Sequence, residues 1–194
     1  MLRFIMKLFK RTTKSTKTQE TTPAPAPKES RLLYDAPKPD QASMVAYYGE
    51  PGDESKLTTF DPPYPMFLAW DTDTPVTKIR CHAKIATPLE LSLTEIRDVL
   101  GLEYIDAHDL DLYGGCYNYR NSRNSTNLST HAYGAAIDLN PDDNANRTPW
   151  HKDKIDHEGY ASMPLEVIEI FEKYGFKSGA RAWGRDAMHF QFTQ

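Results

Sequence analysis

Two hydrophobic rhythms run along the chain from residue 76 onward, and each predicts elements. Residues 76–81, Val-Thr-Lys-Ile-Arg-Cys, are strand-like, and residues 67–70, Phe-Leu-Ala-Trp, predict an earlier strand entering the core. Ile85, Leu89, Leu93, Ile96, Val99 and Leu100 then recur three and four positions apart. That spacing predicts an amphipathic helix with Pro88 in its early part and Gly101 as its stop. Residues 110–119 contain Gly114-Gly115 and three tyrosines, and predict a strand in which missing side chains let another backbone or a ligand approach. Ser162 is placed to cap a second helix, with Pro164 in its first turn, Leu165, Ile168, Phe171 and Tyr174 as its core face, and Gly175 as its end. The turn formers Gly49, Pro51, Gly52, Asp61, Pro62 and Pro63 make residues 43–64 a loop-rich entry, and residues 140–161 are polar and loop-like.

These elements lie outside a βαβ alternation. They predict a single α+β domain over residues 43–194 with a mostly antiparallel sheet. Residues 1–42 are basic and rich in Pro and Thr, and the run from Pro23 to Pro27 favours extended polyproline; this part is expected to be a flexible tail.

The richest chemistry lies in residues 128–140, Leu-Ser-Thr-His-Ala-Tyr-Gly-Ala-Ala-Ile-Asp-Leu-Asn. His131 and Asp138 offer an imidazole nitrogen and a carboxylate oxygen, both good zinc donors. On a helix the two would stand about 10 Å apart along the axis, too far for one ion. On a regular strand their odd spacing sends them to opposite faces. Both reach one ion only if the chain bends between them, and Gly134 is the natural place. Beyond it Ala136 and Asp138 share one face of a short strand, Ile137 and Leu139 the other, and Pro141 ends it.

A third donor comes from residues 183–192. His189 and Gln191 alternate there with Phe190 and Phe192, so the imidazole can face a cleft while both rings enter the core. Asp186 stands three positions earlier, placed to serve as a base. A catalytic zinc keeps three protein ligands and leaves room for water.

The pattern Ser129-x-His131-x-x-Gly134-x-Ala136-x-Asp138, with Asp186-x-x-His189-Phe190 about fifty residues on, resembles the zinc D-Ala-D-Ala carboxypeptidases and the L-alanyl-D-glutamate endolysins of the same superfamily. The resemblance extends upstream through residues 114–120, Gly-Gly-Cys-Tyr-Asn-Tyr-Arg, and covers roughly residue 43 to the C-terminus. It implies a hedgehog/DD-peptidase-like fold and a Zn2+ cofactor held by His131, Asp138 and His189. It further implies Asp186 as general base and Arg120 as the residue that steadies a substrate carbonyl or carboxylate. The expected partner is a peptidoglycan stem peptide, cut as a D-alanyl-D-alanine carboxypeptidase would cut it. The alternatives are an L-alanyl-D-glutamate endopeptidase and a non-catalytic, zinc-stabilised cell-wall binding module. In the module a fourth ligand such as His151 or His157 would close the metal site.

The remaining candidates take more modest roles. Ser129 is expected to orient the ligand loop through its hydroxyl, Trp183 to serve as core or as a substrate-facing wall, and residues 121–127 to form one wall of the cleft. Tyr117 and Tyr119 are read as packing residues. His82, His108, His151 and His157 are read as ordinary histidines outside the metal group.

Charge changes the picture only at the N-terminus. The net charge of −4 divides into +5 over residues 1–40 and −9 over the rest. An acidic body argues against nucleic-acid binding, and the basic tail suits weak contact with a membrane or an anionic cell wall. Residues 2–9 are apolar but broken by Arg3 and Lys7, which makes a poor signal peptide and too short a span for a bilayer. Cys81 and Cys116 fit no C-x-x-C motif and are expected as buried free thiols; a monomer is expected.

Overall fold

The computed structural model describes residues 35–123, 125–155 and 157–194. The basic tail and the membrane-contact reading of residues 2–9 therefore lie outside the described residues.

Among the described residues, eight strands and five α-helices build an α+β fold. The main sheet has six strands. Its order is β3 (Asp71–Pro75), β2 (Phe67–Leu68), β5 (Leu112–Gly115), β6 (Ala136–Leu139), β8 (His189–Gln191) and β7 (Lys177–Ser178). All neighbours are antiparallel except β2 and β5. A separate ribbon pairs β1 (Leu57–Phe60) with β4 (Ile79–His82).

The helices follow from their caps and apolar faces. α1 (Gln41–Tyr48) begins at Asp40, whose carboxylate accepts from the Ser43 N–H at 2.9 Å and its hydroxyl at 2.8 Å. α2 (Ala83–Glu95) buries Ile85, Leu89 and Leu93, and His82 caps it by accepting from the Lys84 N–H. A π-helical turn (Ile96–Leu100) carries it on to Gly101, whose φ of 85° ends it. α3 (Leu102–Ala107) follows. α4 (Leu165–Lys173) lays Phe171 flat on Phe190 of the central sheet, with ring centroids 4.0 Å apart and planes 17° from parallel. α5 (Gly179–Trp183) is a short helix before the last strand.

The core lies between the sheet, α2 and α4. Ile79, Ile85, Leu89, Leu93, Ile137, Leu139, Phe171, Phe190 and Phe192 are all essentially without exposure. Burying such side chains contributes about 1.5–3 kcal/mol each. β6 is the middle of this arrangement, and all four of its residues are buried, so the expected apolar and polar faces are both covered.

Several expectations are corrected. Residues 43–64 are not simply loop-rich, because most of α1 and the whole of β1 lie there. The packed body also begins before Ser43: Ala36 is buried in the core, and the Pro37 carbonyl accepts from the Gln194 N–H at 2.8 Å. The strand at residues 67–70 covers only Phe67 and Leu68, and Trp70 is 69% exposed at the corner between β2 and β3. Val99 is 67% exposed, because the π-turn adds a residue and rotates the last turn out of the 3.6-residue register. Ser162 does not cap α4; Pro164 occupies the cap, and the core face is Val167, Ile168, Ile170 and Phe171. Cys81 and Cys116 are buried free thiols, and burial pushes the Cys81 thiol up to about 12.

Candidate metal centre

Ser129 ends the preceding loop and starts a 3-10 turn (Thr130–Tyr133), its hydroxyl accepting from the His131 N–H at 3.3 Å. Gly134 closes that turn with φ of 67°. A side chain there would meet the His82 backbone nitrogen at 2.8 Å and Leu57 at 2.9 Å, so both conformation and space demand glycine. The bend returns the chain into β6 with Asp138 on the same side as His131. β8 pairs with β6 so that Asp138 lies directly opposite His189. On the other side of β6, Gly114 lets the Asp138 backbone close in, since a Cβ at residue 114 would fall 2.9 Å from the Asp138 Cβ.

Three donor atoms converge as a result. The His189 Nδ1 is 3.0 Å from the Asp138 Oδ1 and 3.2 Å from the His131 Nε2, which is 3.3 Å from the same carboxylate oxygen. All three residues are buried. The partners of the outer ring nitrogens fix what these atoms are. The His131 Nδ1–H donates to the Cys116 carbonyl at 2.6 Å. The His189 Nε2–H donates to the Gln191 Oε1 at 3.1 Å, and Gln191 is oriented by its own Nε2 donating to the Thr193 hydroxyl at 2.7 Å. In neutral rings the inner nitrogens are therefore bare lone pairs. Two lone pairs and a carboxylate oxygen facing one point repel unless a cation sits among them.

The donor set fits zinc. Tetrahedral bonds of about 2.0–2.1 Å give ligand–ligand edges of about 3.3–3.4 Å, close to the three separations here. The outer hydrogen bonds to Cys116 and Gln191 orient the rings as supporting partners do in metal sites. Where no metal is bound, a proton on an inner ring nitrogen can take the cation's place. Burial alone would raise the Asp138 carboxyl, but the charge and hydrogen bonds of His131 and His189 hold it well below the usual carboxylate range. Burial lowers the His189 imidazole, and the Asp138 hydrogen bond and charge more than reverse that, leaving it raised.

The group opens on a cleft of about 1070 Å³. Asp186 lines it, with backbone φ of 57° and its main-chain oxygen accepting from the His189 N–H at 3.0 Å. Gly179 permits this, because a Cβ there would overlap the same oxygen. The Asp186 Oδ2 accepts from the Asn146 side chain at 3.1 Å, while its Oδ1 is buried with no hydrogen-bond partner among the described residues. Burial, opposed by the His189 charge, raises this carboxyl above its ordinary value. A raised carboxylate with one free oxygen is suited to taking a proton.

The other candidates sort by position. Arg120 lines the cleft, half-buried, its guanidinium donating to the Asn121 carbonyl at 3.3 Å. Trp183 is a wall: it is 48% exposed and lies along the His189 ring, with centroids 5.7 Å apart. Asn121, Ser122, Ser125 and Asn127 line the cleft, as expected of that loop. Among the described residues, His82, His108, His151 and His157 stand outside both the donor group and the cleft. His82 is buried, with its Nε2 2.9 Å from the Tyr48 carbonyl. Tyr119 is 60% exposed and not a core packing residue; Tyr117 stacks with Arg80. Cys116, Gln191 and Asn146 support the site without having been singled out for those roles. Gln191 shared a strand face with His189, but the Cys116 carbonyl and the Asn146 loop gave no pattern to find them by.

Comparison with curated proteins and with solved structures gave no significant match. Residues 123–192 match the family model described as D-alanyl-D-alanine carboxypeptidase, a stretch shorter than half the chain that includes all three converging side chains. Motif, match and donor group fall on the same residues, and over that stretch the chain is similar to the D-alanyl-D-alanine carboxypeptidase family.

Proposed function

We propose that the protein is a zinc metallopeptidase acting on peptidoglycan stem peptides, with D-alanyl-D-alanine carboxypeptidase activity and a hedgehog/DD-peptidase-like fold. The observation that carries the reading is the triangle of His131, Asp138 and His189 donor atoms, with both imidazoles turned inward by a committed outer partner. A zinc ion held there would polarise the scissile carbonyl and make a water molecule easier to deprotonate. Asp186, in the cleft lining, takes one proton from that attacking water and returns it to the leaving amine as the C–N bond breaks. Arg120 donates to the substrate carbonyl or carboxylate from the cleft wall. Trp183 packs beside His189 and narrows the space for water.

Product analysis on a synthetic stem pentapeptide tests the bond assignment. The zinc-loaded protein is expected to release free D-Ala. An internal cut between L-Ala and D-Glu would keep the site and replace the carboxypeptidase assignment with the endopeptidase one. Zinc binding with neither bond cut would favour the binding module, for which the cleft supplies no further histidine as a fourth ligand among the described residues.

A further inference from the structure

Residues 41–194 hold seven arginines, and they fall into two groups. Three lie away from the cleft, and each pairs with a carboxylate: Arg80 with Glu54 at 2.6 Å, Arg97 with Asp98 at 2.7 Å, and Arg181 with Glu169 and Glu172 at 3.0 and 2.6 Å. The other four, Arg120, Arg123, Arg147 and Arg185, line the cleft, and none pairs with a carboxylate among the described residues. Acids are not scarce, since residues 41–194 carry 23 Asp and Glu against 14 Lys and Arg. The cleft lining contains no lysine and no glutamate. Of its three aspartates, Asp40 is engaged by Ser43, while Asp138 and Asp186 belong to the metal centre.

The four reach the cleft from both sides of β6. Arg120 and Arg123 follow β5, Arg120 just before and Arg123 within a loop closed by the Asn121–Leu128 bridge. Arg185 precedes β8, and the Pro149–Arg185 bridge ties its backbone to the loop that carries Arg147. β5 and β8 are the two neighbours of β6, which carries Asp138. Planar guanidinium forks without a carboxylate partner among the described residues, placed as pairs on two sides of a reactive centre, suit carboxylates that arrive with the substrate.

We propose that these four arginines select the substrate by its carboxylates: the preferred peptide carries at least two ionised carboxylates, one read by each arginine pair, and not only the one at its terminus. The inference rests on the peptidase reading and narrows its substrate class to peptides whose side carboxylates are free, as against those in which they are amidated. Arg123, Arg147 and Arg185 are specificity residues in this account, acting on binding.

The test uses two stem peptides of identical sequence, one with free side carboxylates and one with carboxamides there. The zinc-loaded parent is expected to prefer the carboxylate peptide at least tenfold in kcat/KM, through KM, with about tenfold for each charged hydrogen bond lost. In Arg147→Gln/Arg185→Gln the preference should shrink to within twofold, and Arg147→Lys/Arg185→Lys should retain part of it. Equal kcat/KM for the two peptides in the parent, or an equal fall on both in the glutamine variant, overturns the proposal and leaves the peptidase reading intact. Inhibition by a poly(glycerol phosphate) at lower concentration than by the carboxylate product overturns it in favour of a phosphate polymer. If neither peptide is cut, calorimetry on the same proteins decides: arginine-dependent preference for the carboxylate form supports the proposal while the peptidase reading fails, and binding without preference overturns both.

Discussion

Asp186 concentrates the chemistry at the scale of single residues. Its left-handed backbone, its free Oδ1 and its burial all set it apart from the exposed acids of the surface. Asp186→Asn is expected to keep the metal and lose about 10²–10⁴-fold in kcat, as measured on the stem peptide. Its pH dependence has a definite sign. Burial raises the carboxyl above 3.8, so the base form is present at higher pH and disappears as pH falls through the raised value. The acid limb of kcat should therefore lie above the ordinary carboxylate range and be absent in the Asn variant; a limb at or below 3.8 would assign it to another group. Gln191 makes a second test. Replacing it with Leu removes the nearer acceptor of the His189 Nε2–H, leaving the Thr130 hydroxyl at 3.5 Å, and is expected to weaken zinc about 10–100-fold, read by competition with a chromogenic chelator. Unchanged affinity would mean that the ring needs no such anchor.

At the scale of elements, the site depends on how closely β5, β6 and the ribbon approach one another. Gly114→Ala would drive a methyl group to 2.9 Å from Asp138, where strand backbones leave little room. A loss of about 1–3 kcal/mol in denaturant unfolding is expected, with weaker zinc binding, since the displaced residue is a ligand. Wild-type stability in this variant would show that the sheet spreads freely there. The same elements show what local pattern can and cannot reveal. α2 was legible because its apolar residues recur over four turns, and the bend at Gly134 because two ligands at odd spacing cannot otherwise meet. α1 was not, because it has hardly any apolar stripe and its main cue is the Asp40 cap. The π-turn that turns Val99 outward obeys neither period.

For the molecule as a whole, sequence motifs located the metal-facing residues but not the cleft around them. His131, Asp138 and His189 sit in two short segments with dense local pattern. Arg120, Arg123, Arg147 and Arg185 are spread over irregular loops, and only the order of β5, β6 and β8 brings them together. The metal should also matter globally. A metal ion binds all three buried donors at once where a proton joins only two, so chelation is expected to lower the thermal midpoint by several degrees, and added zinc to restore it in proportion to its concentration. An unchanged midpoint would show that the donors tolerate one another without metal. The most direct test is zinc content per chain, measured beside turnover of the stem pentapeptide, for the parent, Asp138→Ala and Asp186→Ala. The account predicts about one zinc in the parent and in Asp186→Ala, little in Asp138→Ala, and turnover in the parent alone. Full turnover in a parent stripped of zinc, or full zinc retention in Asp138→Ala, would contradict it.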